Sequence, residues 1–160
     1  MANAALSSDN ASDEQRIAER LARYDGLDPD LVQAVRKVLR KRFPALNELV
    51  YDYADKFVIG YSPTHTGAEG IAALSAESGG VRFYLTQGAK LPDPHKLLQG
   101  KAGARFITVA SAEDLLRPEV EALMAAAERT AKVPVPASGR GTVIIKPSDA
   151  EKPRRRTVRS

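Results

Sequence analysis

Between Leu49 and Val109 the apolar residues of this chain fall at every second position in short runs, and that period admits little besides a sheet with two unlike faces. Leu49, Tyr51 and Tyr53 alternate with Val50 and Asp52. Phe57-Val58-Ile59-Gly60-Tyr61 and Ile71-Ala72-Ala73-Leu74-Ser75-Ala76 follow as β-prone runs. In Val81–Thr86, Val81, Phe83 and Leu85 face one way while Arg82, Tyr84 and Thr86 face the other. Arg105-Phe106-Ile107-Thr108-Val109 is the fifth run. Glu77-Ser78-Gly79-Gly80 predicts a hairpin turn. Parallel pairing needs crossovers of about a dozen residues or more, so these short connections predict an antiparallel meander.

Helical spacing flanks that region on both sides. Ser12-Asp13-Glu14-Gln15 is a capping box, and Ile17, Ala18 and Leu21 continue from it until Gly26 closes the segment. Asp28 and Pro29 suit an N-cap and a first helical position, and Leu31, Val32, Val35, Val38, Leu39 and Phe43 then form one apolar stripe that Pro44 stops. Arg36, Lys37, Arg40, Lys41 and Arg42 are taken as a solvated helix face rather than a phosphate-binding one. Ser111-Ala112-Glu113-Asp114 opens a last helix that Pro118 interrupts or restarts and that runs to about Lys132. The expected fold is α+β, an antiparallel sheet of five strands flanked by N-terminal and C-terminal helices, with Thr142–Lys146 as a sixth strand if it joins the edge. Residues 1–26 are expected as an N-terminal helix with some freedom to move, 27–132 as the α+β domain, and 133–160 as an extended linker, edge strand and disordered basic tail.

Several function classes fall away on composition. The 160 residues include no cysteine, which removes disulfides, thiolate metal sites and cysteine nucleophiles together. No apolar run approaches the ~18 residues of a membrane span, and the first residues lack the basic start and apolar stretch of a secretory signal, so a soluble cytoplasmic protein with no membrane partner is expected. The net charge of +4 is unevenly placed. Residues 133–160 hold seven basic against two acidic side chains, and residues 1–132 hold 17 against 18. Lys152, Arg154, Arg155, Arg156 and Arg159 are therefore candidates for non-specific contact with nucleic-acid phosphates, the alternative being a solubilising tail.

Candidate chemistry gathers around Gln87–Gly100. Asp93 and Pro94 suit the start of a one- to two-turn helix that Gly100 would end, with Lys90 before it and His95 and Lys96 in its first turn. An anion, such as a phosphate-bearing ligand, at that terminus would meet a dipole and cations; the plainer reading is a rigid surface connector. If a pocket exists, Tyr61, His65, Tyr84, Lys90 and His95 are expected to line it, and Asp93 and Lys96 join Tyr61, Tyr84, Lys90 and His95 as candidate ligand-binding residues. For a metal, His65, His95 and Asp93 are the candidates, with Asp52, Asp55 and Glu69 as further carboxylates, an oxygen and imidazole set suited to iron, manganese or zinc. No serine sits in a Gly-x-Ser-x-Gly elbow, and Gly100-Lys101-Ala102 lacks the rest of a phosphate loop. These readings point to a non-enzymatic binding or interaction module without a cofactor.

The succession Leu49-Val50-Tyr51-Asp52-Tyr53, Gly60-Tyr61-Ser62-Pro63, Val81-Arg82-Phe83-Tyr84-Leu85, Leu91-Pro92-Asp93-Pro94-His95-Lys96-Leu97-Leu98-Gln99-Gly100, Arg105-Phe106-Ile107 and Ser111–Leu115 resembles the YdhG-like family of bacterial domains of unknown function over residues 45–132. The ending Gly139–Lys146 and the later Pro153-Arg154-Arg155-Arg156 resemble one branch of it. The resemblance implies an α+β domain and, for most members, no assigned activity. One member is described as a frataxin-like iron chaperone, which makes iron the one metal that the resemblance suggests.

Overall fold

The computed structural model describes residues 2–147, with side chains from Ser12 onward. Three helices, α1 (Ala2–Leu21), α2 (Pro29–Arg42) and α3 (Pro118–Arg129), accompany six strands: β1 (Asn47–Asp52), β2 (Lys56–Ser62), β3 (Ala72–Glu77), β4 (Gly80–Leu85), β5 (Arg105–Val109) and β6 (Val143–Ile145). The strands form one sheet in the order β5-β4-β3-β2-β1-β6, antiparallel from β1 to β5. The α+β class and the helices at both ends are as the sequence predicts.

Local chemistry explains most of the boundaries. The Asp28 carboxylate accepts a hydrogen bond from the Leu31 amide at 3.1 Å and Pro29 follows at the first helical position, so α2 starts where its cap is. Gly80 turns the β3–β4 hairpin at φ 124°, a conformation that a Cβ would strain. Asp114 accepts from the Ala110 and Ser111 amides, fixing a short 3-10 turn, Ala112–Leu116, and Pro118 then starts α3 afresh.

Three expectations need correction. The helix expected to begin at Ser12 begins at Ala2, and Gln15 donates to Glu19 at 3.3 Å instead of reaching back to close a box. The strong helix propensity of the alanines lets the helix run through Ser12. The helix expected from Asp93 does not form. The Asp93 carboxylate accepts from the Leu97 and Leu98 amides at 2.9 Å each and Lys96 sits at φ 54°, so the segment closes as a turn. Finally, β6 lies parallel to β1 rather than extending the meander, because the chain returns through β5 and α3 before reaching that edge. The Glu48 amide donates to the Thr142 carbonyl and the Lys146 amide to the Val50 carbonyl, each at 2.9 Å.

All three helices lie on one face of the sheet. Ile17 and Leu21 of α1, Val32, Val35 and Leu39 of α2, and Val120, Leu123 and Met124 of α3 share one core with Val50, Phe57, Ile59, Tyr61, Leu74, Phe83 and Ile107. The last turns of α1 are thus part of the packed core. None of the helices is long and apolar enough to cross a membrane.

Candidate functional site

Strand register decides which residues the sheet turns away from its helices. Two rows cross that outer face. One runs Tyr51, Val58, Ser75, Arg82, Thr108, and its neighbour runs Leu49, Gly60, Ala73, Tyr84, Phe106. A half-solvated antiparallel sheet ordinarily places polar residues at such positions. Here the two inner strands, β2 and β3, contribute small or aliphatic residues, and aromatic rings stand on either side of them. From β1 to β4 is three strand spacings, so the walls of this shallow trough are about 14 Å apart.

Each wall is an ordered aromatic group. Tyr51 and Tyr53 stack with ring centroids 5.8 Å apart and planes 4° from parallel, and the Lys56 ammonium lies 5.7 Å from the Tyr53 ring. On the far side Tyr84 and Phe106 pack at 5.3 Å, the Arg82 guanidinium lies 4.2 Å from the Phe106 centroid, and Arg82 donates to the Tyr84 hydroxyl at 3.3 Å. The four rings are half-buried. Burial and then the neighbouring Tyr53 hold the Tyr51 phenol above its ordinary value.

The opposite face of β1 ties the sheet to the helices. Glu48 and Asp52 point toward the helices on either side of Val50, and each meets an arginine. Glu48, 2% exposed, accepts from Nε and Nη2 of Arg36, itself 3% exposed, at 2.9–3.2 Å, and from the Tyr61 hydroxyl at 2.8 Å. Arg36 reaches on to Glu14 of α1 at 2.7 Å, and Arg40 lies 3.4 Å from Glu48. Asp52 pairs with Arg20 at 2.9 Å and with Arg23 at 3.5 Å. Burial works against the Arg36 charge, but its bonds to Glu14 and Glu48 outweigh burial and hold the guanidinium above its ordinary value. Burial, then the Glu48 charge, push the Tyr61 phenol well above the usual range. A cleft of about 360 Å³ beside this network is lined by Arg40, Lys41 and Arg140 together with Glu48 and Tyr61.

The network makes stability depend on acid. The hydrogen bond from Arg36 holds the Glu14 carboxyl below its ordinary value of 4.5, although partial burial opposes it. Such a group stabilises the fold fully above the pH at which it ionises in the unfolded chain, and this contribution disappears as pH falls through the lowered folded value. Glu14→Gln should therefore flatten the fall in urea midpoint below about pH 4.5. Parallel curves for the two proteins would contradict this.

The residues singled out from sequence do not form one site. Tyr61 is fully buried under the helices, whereas Tyr84 lies on the opposite face of the sheet. Lys90 is exposed at the end of a 3-10 turn and borders a cleft of about 250 Å³ with Thr130 and Lys132. Asp93 spends its carboxylate on its own turn, and its neighbour His95 borders a separate groove with Pro118 and Glu119. Lys96 is exposed. With no helix at Asp93 there is no helix dipole for an anion. His65 is exposed far along the chain from His95, Asp52 is taken by Arg20, and Glu69 accepts from Thr64 and Thr66. No group of three or more such side chains converges to hold a metal ion among the described residues. Lys152, Arg154, Arg155, Arg156 and Arg159 lie outside the described residues.

Comparison with protein-family models, with curated proteins and with solved structures finds no match to this chain. The outer face was nonetheless within reach of the sequence. Alternation alone places Arg82 and Tyr84 opposite Val81, Phe83 and Leu85, and only the pairing of strands shows that Tyr51, Tyr84 and Phe106 share that side.

Proposed function

We propose that the protein is a non-catalytic binding module of the cytoplasm, and that its ligand lies along the face of the sheet that carries no helix. One observation carries this reading: outward positions that water would ordinarily claim for polar side chains are occupied by Tyr51, Val58, Tyr84 and Phe106, and none of these belongs to the core cluster. Aromatic residues that contribute little to the fold and stand together on one face are what a contact surface needs. The resemblance to the YdhG-like domains is in keeping, since it brings an α+β fold and no reaction with it.

Stability separates this reading from a purely architectural one. Tyr84→Thr and Arg82→Thr keep strand propensity while stripping the wall, and each should cost about 1 kcal/mol or less in urea unfolding, the scale of cross-strand pairs. A loss of about 3–5 kcal/mol at Tyr84, the cost of truncating a core aromatic, would mean that the ring serves the fold and would overturn the proposal.

A further inference from the structure

We infer that the occupant of the trough is a single strand of nucleic acid, an inference that rests on the sheet face being the binding surface. Two features of the walls point to it. Each wall joins an aromatic ring to a cation, Lys56 at Tyr53 and Arg82 at Phe106, and ring and guanidinium planes are the surfaces on which unpaired bases stack. The floor between them is Gly60, Ala73, Ser75 and Val58, side chains shorter than the rings on either side. Duplex bases are already stacked on one another, so they cannot use such walls.

Charge agrees with the shape. Outward strand positions hold Lys56 and Arg82 against the single acid Glu77. Ile145 pairs with Val50 in parallel register, which brings Lys146 level with Tyr51. Beyond Pro147 the sequence holds Lys152, Arg154, Arg155, Arg156 and Arg159 against Asp149 and Glu151. Phosphates are the groups that such cations neutralise, which supplies affinity without reading sequence. An acidic peptide could use the same charges, but the pairing of an aromatic ring with a cation on both walls favours bases.

The test is fluorescence anisotropy of the full chain at low salt with labelled oligothymidylate, oligouridylate and a duplex of equal length. The expected result is tighter binding of both single strands than of the duplex. Tyr84→Thr should weaken the single-strand complexes by about tenfold, roughly the loss of one base stack, and leave duplex binding unchanged. Arg82→Gln, which removes the charge with less change in shape, guards against a Tyr84 variant that folds poorly and should act in the same direction. Truncation after Lys146 should flatten the salt dependence by about 0.7 log units per lost phosphate contact while preserving the preference for single strands. Equal affinity for duplex and single strand, insensitive to Tyr84 and Arg82 and abolished by the truncation, would assign binding to the tail and overturn the inference. So would the absence of binding to any oligonucleotide, or retention of an acidic peptide in preference to the strands. None of these failures touches the stability comparison at Tyr84 and Arg82, on which the sheet face itself stands or falls.

Discussion

Replacing Glu48 by leucine should lower stability by about 3–5 kcal/mol, because it removes one member of a buried ion pair and leaves the other charged. The carboxylate serves Arg36, Arg40 and Tyr61 at once, so a single substitution strands a nearly inaccessible guanidinium and a phenolic hydroxyl. Of its charged partners Arg36 keeps only Glu14, whose side chain is 45% exposed and whose pull is weakened by water. In a domain of this size each kcal/mol moves the thermal midpoint by about 2–4 °C, so the midpoint should fall by roughly 6–20 °C. The informative comparison is the pair Arg36→Met and Glu48→Leu together. With both charges gone neither is left buried without its partner, and the double variant should be more stable than the sum of the single losses by about 1–3 kcal/mol. Strict additivity would show that the network is worth no more than its separate contacts.

The second large effect is expected at Gly141. A Cβ there would overlap the Leu46 carbonyl and crowd the Asn47 amide, both of them backbone, so neither can move aside as a side chain would. The contact exists because the Gly141 amide donates to the Pro44 carbonyl at 2.8 Å, while the Thr142 amide and hydroxyl reach Asn47. Gly141→Ala should lift the segment that carries β6. Val143 and Ile145, both half-buried against the core, would then be exposed at a cost of about 1.5–3 kcal/mol. Hydrogen exchange reports this more sharply than melting does. Amides of Glu48 and Lys146 should lose protection while those of β3 and β4 keep theirs, and uniform protection would contradict it.

Periodicity made the sheet legible because each strand has one face in the core: Val81, Phe83 and Leu85 could hardly alternate for another reason. Caps did the same for α2, where Asp28 and Pro29 mark the start in one step. What escaped reading lies where a side chain does something other than its class suggests. Arg36 belongs to a run of five basic residues in seven and so resembles solvated charge, yet it stands in the register of Val32, Leu39 and Phe43. Its partner Glu48 likewise flanks Val50 on the apolar side of β1. A charge in an apolar register, twice over, was the visible sign of the buried network, and Arg20 with Asp52 repeats it. The turn at Asp93 failed for a different reason: a carboxylate beside a proline can cap a helix or fold back on its own amides, and local sequence does not choose between them. The candidate site was half legible. Tyr84 was picked out, but grouped with Tyr61, which alternation puts on the other side of the sheet.

The margins of the sheet bear on how the protein behaves when concentrated. A long unpaired strand edge is a template on which further chains add, the first step toward ordered aggregates. At one margin β6 offers only three residues. At the other, Gln99 exchanges both backbone hydrogen bonds with Phe106, occupying the edge of β5 at its second residue. Strand-by-strand growth therefore finds little to start from at either end, and a chain that shows rings across one broad face can do so without polymerising through its borders.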